Sequence, residues 1–304
     1  MEVWSHDRWG IPLPAGHRFP ISKYGLLRER VEGLVEVVES EPVPWEWLAA
    51  VHEAALLDRI RDGTLSVREQ RALGLPWSEP LVERGRRSVG GTVAAARRAL
   101  EHGVGMNLGG GTHHAGRDYA RGYCLFNDVA VAVARLRAEG AVRRALVVDC
   151  DVHQGDGTAQ ILGPDPDAFT LSLHGARNYP WRSVSPSVLA SSDVVRRYPS
   201  DLDVDLPSGT GDDTYLRALD DALDVALGSS YDVAFFLAGA DPWEGDRLGR
   251  LALTKAGLRA RDERVLARLR GMPTVVVLAG GYAPDIRDTV DINAATVEAV
   301  LALS

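Results

Sequence analysis

The chain has 304 residues, 45% of them hydrophobic, which is enough for a large buried core and fits one large α/β domain. No run approaches the roughly 18 apolar residues of a membrane span, and Met1-Glu2-Val3-Trp4-Ser5-His6 lacks the basic and apolar regions of a secretion signal. Two cysteines, Cys124 and Cys150, make no disulfide framework, so a reducing cytoplasm is the expected location; a net charge of −8 without a basic tract argues against nucleic acid and mildly favours cationic substrates.

Residues 1–20 are rich in Trp, Pro and Gly and read as an irregular arm. Ser22 is positioned to cap a helix through about Val38, with Leu26, Leu27, Val31, Leu34 and Val35 on one face. Trp45–Ile60 and Ser66–Leu73 read as shorter helices, and Glu79–Glu101 as a long one broken at Gly90-Gly91. His52 has no ligand-type residue at useful spacing and is expected to be a packing or surface histidine. From Val104 onward the pattern changes. Short apolar runs at Val104–Leu108, Ala145–Val148, Ala168–Leu173, Val233–Ala238 and Thr274–Ala279 read as strands. Helical stretches at Asn127–Glu139, Asp213–Gly228 and Thr254–Arg270 lie between several of them, and a last helix covers about Ile292–Leu303. Such alternation predicts a single α/β domain over 1–304, with a central, mainly parallel sheet and helices on both faces. Trp181–Pro199 is long for a connection and reads as an inserted loop.

The chemistry collects where these strands end. Ala145–Val148 runs into Asp149-Cys150-Asp151-Val152-His153-Gln154-Gly155-Asp156-Gly157. Alternate residues of a strand share a face, so Asp149, Asp151 and His153 would point together if the extended conformation persists. Ligands of open α/β sheets bind at the carboxyl ends of strands, and buried carboxylates there must be paired or metal-bound. The strand at 104–108 leads to Gly109-Gly110-Gly111-Thr112-His113-His114, that at 233–238 to Gly239-Ala240-Asp241, and that at 274–279 to Gly280-Gly281-Tyr282. Four strands thus deliver polar groups to one edge. Asp151, His153 and Asp241 assemble as a three-ligand metal site with an open position for water. Two histidines and a phenol supply what amide hydrolysis needs besides the metal: a proton carrier and an oxyanion donor.

These motifs resemble the histone deacetylase family of the arginase–deacetylase fold. The matching stretches are Gly110–Ala115, Gly122-Tyr123-Cys124-Leu125-Phe126-Asn127-Asp128, Asp149–Thr158, Ser172-Leu173-His174, Gly239-Ala240-Asp241 with Gly245–Gly249, and Gly280-Gly281-Tyr282, in family order over about 17–300. Arg18-Phe19-Pro20, Lys23-Tyr24 and His174–Pro180 look most like class IV deacetylases and their bacterial relatives, and the Ala- and Arg-rich composition suits a high-GC bacterium. The resemblance implies one Zn2+ on Asp151, His153 and Asp241, with His114 as general base and acid oriented by Asp156. It implies His113, backed by Asp149, as the companion histidine, and Tyr282 as hydrogen-bond donor to the substrate carbonyl. Tyr123, where the family often has Phe, and Gly122 would form the substrate tunnel wall. A structural K+ or Na+ near Asp149, Ser172 and Leu173 is implied as well. His174 is expected to be structural, Cys124 to pack, and Asp246 to shape the loop after Asp241. Asp203 and Asp205 are expected to face solvent.

Class IV relatives usually run directly from the Asn-Tyr-Pro motif into the segment at 200–203, whereas this chain interposes 181–199, expected near the site mouth, so substrate choice does not carry over. The expected function is zinc-dependent removal of an acetyl or longer acyl group from an N-acyl-lysine or N-acylated amine. The alternatives are a deacylase of acetylpolyamines or secondary metabolites, a binuclear manganese ureohydrolase, and a catalytically silent acyl-binding module. Neither nucleic acid nor membrane is an expected partner, and a homo-oligomer is compatible with the sequence.

Overall fold

The computed structural model describes residues 1–180 and 198–302. In its first half the elements are β1 (Glu2–Ser5), α1 (Ser22–Val31), β2 (Glu36–Glu39), α2 (Trp45–Ala49), α3 (Ala54–Arg61), α4 (Val67–Leu73), α5 (Glu79–His102), β3 (Val104–Asn107) and α6 (Asp128–Ala138). There follow β4 (Ala145–Asp149), α7 (Asp156–Leu162), β5 (Ala168–Gly175), β6 (Leu202–Leu206), α8 (Asp212–Ala226), β7 (Val233–Ala238), α9 (Lys255–Arg268), β8 (Thr274–Leu278) and α10 (Ile286–Leu301). The eight strands form one sheet in the order β2-β1-β3-β8-β7-β4-β5-β6, and every pairing is parallel.

The central strands are apolar throughout because both sheet faces are covered. Their side chains alternate between two cores. Leu146, Val148, Phe236 and Val276 pack with residues of α1, α8, α9 and α10, among them Leu27, Leu219, Val265 and Val297. Ala145, Val147, Phe235 and Val275 pack on the other face with residues of α2–α7, such as Leu48, Ile60, Val93 and Val133. No helix among the described residues is long and apolar enough to cross a membrane.

Four expectations from the sequence need correction. The irregular arm contains β1, which pairs with β2 and β3 inside the sheet. The helix expected over 22–38 ends at Val31; Glu32 is extended, and residues Glu36–Glu39 become an edge strand, where glutamates at both ends suit solvent exposure. Ser22 is not its cap: the N-cap residue is Ile21, with no side-chain hydrogen bond. Trp45–Ile60 divides into two helices around buried His52, whose Nδ1 donates to the Gly116 carbonyl at 2.8 Å and whose Nε2 accepts the Asn127 N–H at 3.0 Å. That is the expected packing histidine. The last two residues of the expected 181–199 insertion, Tyr198 and Pro199, are described, and the rest lies outside the described residues.

The fourth correction concerns Gly90-Gly91, which do not break α5. They let it pack: a Cβ on Gly90 would lie 1.8 Å from the Glu41 carbonyl oxygen, and one on Gly91 2.6 Å from Ser40 Oγ. Helix propensity predicts that Gly90→Ala stabilises α5 by about 1 kcal/mol. The close approach predicts a net loss instead, from overpacking of about 1–3 kcal/mol. Urea unfolding decides between them, and a higher midpoint for the variant would contradict the packing assigned here.

Candidate active site

β4 and β7 are neighbours, but the chain leaves β4 toward β5 on one side and β7 toward β8 on the other. The divergence opens a crevice at their carboxyl ends, where open parallel sheets place ligands. Asp151 and His153 enter it from β4, and Asp241 from β7. The strand does not persist through His153 as the alternation argument supposed. β4 stops at Asp149, and two successive side-chain turns carry the chain onward: Asp149 Oδ1 accepts the Asp151 N–H and Asp151 Oδ1 the His153 N–H, each at 3.0 Å.

Ligand atoms of Asp151, His153 and Asp241, all buried, lie within 4.8 Å of one another. His153 Nδ1 is 3.0 Å from Asp151 Oδ1 and 3.3 Å from Asp241 Oδ2. The outer oxygens are tied to backbone: Asp241 Oδ1 accepts from Val152 N–H at 2.9 Å and Asp151 Oδ2 from Gly280 N–H at 2.7 Å. Asp241 Oδ2 is buried and has no hydrogen-bond partner of acceptable geometry among the described residues. A Cβ at Gly280 would stand 1.9 Å from that oxygen, so only glycine leaves the space beside it open. Burial, then the charge of Asp151, raises the Asp241 carboxyl. Burial opposes a charge on His153, but Asp151 and Asp241 outweigh it and raise the imidazole to about 10. Two crowded carboxylates, one imidazole and an unpartnered oxygen match the donor set of a divalent cation.

His113 and His114 arrive from the loop after β3. That loop is fixed by Asp128 at the start of α6, which accepts the Gly111 N–H at 3.1 Å and the Thr112 N–H at 2.8 Å. The two imidazole centroids are 4.1 Å apart. Each Nδ1 donates to its own carboxylate, His113 to Asp149 Oδ2 at 2.7 Å and His114 to Asp156 Oδ1 at 2.5 Å, which leaves Nε2 as the other nitrogen of each ring. The environments differ. Burial disfavours the charged form of His113, yet Asp149 and Asp151 raise it to about 9. Burial and then the charge on His113 lower His114 to about 3, against the pull of Asp156. Asp156 Oδ2 also accepts the Tyr119 hydroxyl at 2.9 Å and the Arg121 guanidinium, two partners that sequence reasoning missed.

A cavity of about 310 Å³ opens onto these groups, with Asp151, His153, His113, His114 and Tyr282 in its lining. Phe19, Tyr123 and Tyr179 supply aromatic wall, and exposed Arg71 also borders it. Gly122 and Tyr123 both have positive φ, +57° and +66°, and a Cβ on Gly122 would lie 2.6 Å from His114 Cδ2. Tyr123 stands 5.8 Å from Tyr282 between ring centroids. Asp246 takes the Tyr282 N–H at 2.6 Å and the Leu248 and Gly249 N–H groups at 2.7 and 3.0 Å. It thereby shapes its own loop, as expected, and also ties it to Tyr282. Burial keeps the Tyr282 phenol well above its ordinary pKa, hence protonated. Buried Lys23, whose Nζ donates to the Ala279 carbonyl at 3.2 Å, also lines the cavity and had been assigned no role.

Of the remaining candidates, Asp149 and Ser172 sit side by side in the β4–β5 register, next to Leu173. His174 is buried, with Nδ1 3.0 Å from Ser172 Oγ and Nε2 3.2 Å from Asp205. Asp205 is about half exposed, whereas Asp203 accepts from Gln154 Nε2 at 3.3 Å and the Ser200 N–H at 3.2 Å. Cys124 is buried, its thiol pushed far up by burial and bonded to the Gly122 carbonyl at 3.3 Å, in keeping with a packing role.

A family profile described as histone deacetylase domain matches residues 17–299. An uncharacterized protein of Picosynechococcus sp. is 40% identical over 293 residues, 94% of this chain and 93% of that protein. Histone deacetylase 2 of Arabidopsis thaliana is 35% identical over 200 residues, 65% of this chain but only about half (49%) of the relative. In fold, a crystal structure of a histone deacetylase homologue from Aquifex aeolicus superposes with a TM-score of 0.80 at 23% identity, covering 98% of this chain and 83% of the other. With its site and fold described and the match running through most of its length, the chain belongs to the histone deacetylase family.

Proposed function

We propose that the chain, as one domain, is a zinc-dependent amidohydrolase that removes an acetyl or longer acyl group from N-acyl-lysine or a related N-acylated amine. One observation carries this reading: the buried Asp151, His153 and Asp241 set, with no hydrogen bond to Asp241 Oδ2, reaches through Asp151 and His153 a cavity also lined by two carboxylate-backed histidines. Three protein ligands and a free position are what catalytic zinc requires. Zinc held there would make water a nucleophile at neutral pH and polarise the acyl carbonyl.

The chain's own groups do the rest. His114, neutral and oriented by Asp156, takes the proton of the attacking water through Nε2 and returns it to the departing amine. His113 stays cationic between Asp149 and Asp151 and offsets negative charge as it develops. The Tyr282 hydroxyl, kept protonated, donates to the oxyanion. Tyr123 and Gly122 bound the passage for the acylated side chain. Asp149 and Ser172, with the Leu173 backbone, would hold K+ or Na+ between β4 and β5. Asp149 and Asp156 are engaged by His113 and His114, which speaks against the extra carboxylate ligands of a binuclear ureohydrolase. Among the described lining residues Asp151 is the sole carboxylate, and Lys23 and Arg71 are cationic. Among the described lining residues, charge therefore disfavours a polyamine's second ammonium, which favours acyl-lysine over acylpolyamine.

Amine release from acyl-lysine peptides and acylpolyamines, acetyl through long chain, with metal-stripped and zinc-reconstituted protein, tests the reading directly. Turnover is expected only with zinc and preferentially on acyl-lysine. Asp151→Ala and Asp241→Ala should lose both bound zinc and turnover; activity in either metal-free variant would end the proposal. Tyr282→Phe should retain zinc while kcat falls by roughly 10²–10³, the loss typical of one oxyanion donor. An unchanged rate would remove the phenol from the reaction. Metal uptake must expel protons from His153, raised to about 10, and from the raised Asp241. Zinc affinity should therefore fall as pH is lowered from about 8 to about 6, with proton release on binding measurable in weak buffer. Affinity independent of pH would contradict this ligand set.

A further inference from the structure

Outside the cavity lining lies a buried ion pair that the chemistry above does not use. Arg261 and Asp262 are consecutive residues of α9, exposed by 0% and 1%. Arg261 Nε donates to Asp262 Oδ1 at 2.8 Å, Nη2 stands 2.7 Å from the same oxygen, and Asp262 Oδ2 accepts the Thr296 hydroxyl of α10 at 2.6 Å. The guanidinium is thus held from behind. Its Nη1 donates to the Gly239 carbonyl at 2.6 Å and the Cys150 carbonyl at 3.3 Å.

Those two carbonyls stand where β4 and β7 part. The Cys150 N–H still bonds the Leu237 carbonyl at 3.1 Å, continuing the ladder one step beyond β4. Cys150 immediately precedes Asp151, and Gly239 is separated from Asp241 by Ala240. The loops interlock here, since a Cβ on Gly239 would meet Asp151 Cα at 2.6 Å. A buried ion pair is a costly way to gain stability alone, and apolar residues of similar volume often serve as well or better. A planar guanidinium does something they cannot: Nη1 serves both carbonyls while Nε and Nη2 stay on Asp262, so the group is held in orientation, which the single ammonium of lysine achieves less well.

We propose that Arg261, braced by Asp262 and Thr296, is a positioning residue that fixes the separation of the Asp151 and Asp241 loops and thereby the affinity of the site for zinc. This rests on the zinc reading given above. The test is zinc affinity of the full chain, measured by competition with a chromophoric chelator, for wild type, Arg261→Met, Arg261→Lys and Thr296→Val. It is run at a temperature where circular dichroism shows each protein folded. Arg261→Met should weaken zinc roughly 10–100-fold, the range for groups that orient metal ligands. Arg261→Lys should recover part of that loss, and Thr296→Val, which loosens the far end of the brace, should fall between wild type and Arg261→Met. A lower melting temperature with unchanged zinc affinity marks a purely structural pair and overturns the proposal. If Arg261→Met does not fold, Arg261→Lys and Thr296→Val decide, and wild-type affinity in both overturns it. Variants that match a zinc-binding wild type sink the brace alone. A wild type that takes up no zinc sinks the functional reading and the brace together.

Discussion

Four carboxylates, Asp149, Asp151, Asp156 and Asp241, are buried around the ends of β4 and β7, and the rest of the site follows from how their charge is compensated. Unsolvated carboxylates are costly unless hydrogen-bonded and paired. Asp149 has His113 and the Asp151 N–H; Asp156 has His114, Tyr119 and Arg121. Asp151 has His153 and the Gly280 N–H. Asp241 has the Val152 N–H on Oδ1, while its Oδ2 accepts no hydrogen bond and lies 3.3 Å from the His153 Nδ1 that already serves Asp151. Asp151 and Asp241 thus share one imidazole, a surplus of carboxylate beside an open cavity. A bound cation resolves both the missing partner and the surplus.

The backbone makes that concentration of charge possible by closeness. Gly280 occupies the space beside Asp241 Oδ2 that any side chain would fill, and its N–H binds Asp151. Asp246 then fastens the loop from β7 to the Tyr282 backbone of the loop from β8. Strands that are neighbours in the sheet but far apart in sequence are thereby locked at their ends. A rigid frame of this sort keeps ligand atoms within reach of one another before any metal arrives, the form of preorganisation on which metal sites depend.

Much of this was legible in the sequence because strand ends and glycine turns carry strong local signals. Apolar runs followed by Asp-x-Asp-x-His, by Gly-Ala-Asp and by Gly-Gly-Tyr placed the polar groups at one sheet edge, and the parallel α/β fold followed from the alternation. The missed features are those settled by tertiary contact. Glu2–Ser5 is a strand because β2 and β3 flank it, not because of its own pattern. Gly90-Gly91 reads as a helix breaker locally but is where Glu41 and Ser40 come close. Arg121 and Arg261 gave no signal of their own, since an arginine in a helix or loop is solvated far more often than buried. Only the fold brings each to a buried carboxylate or carbonyl.

The two histidines show how much tertiary surroundings decide. In sequence His113 and His114 are equivalent neighbours, each with an aspartate to hold its Nδ1. In the fold, His113 faces two carboxylates, Asp149 and Asp151, and is drawn toward its charged form. Burial disfavours a charge on His114, and the charge on His113 disfavours it further; together they outweigh Asp156 and favour the neutral ring. One cationic and one neutral imidazole with centroids 4.1 Å apart is an asymmetric pair, suited to offsetting charge with one ring and moving a proton with the other. The asymmetry comes from the two carboxylates around His113 and from burial and the neighbouring His113 charge acting on His114. It is a property of the loops that meet there, and neither histidine carries it alone.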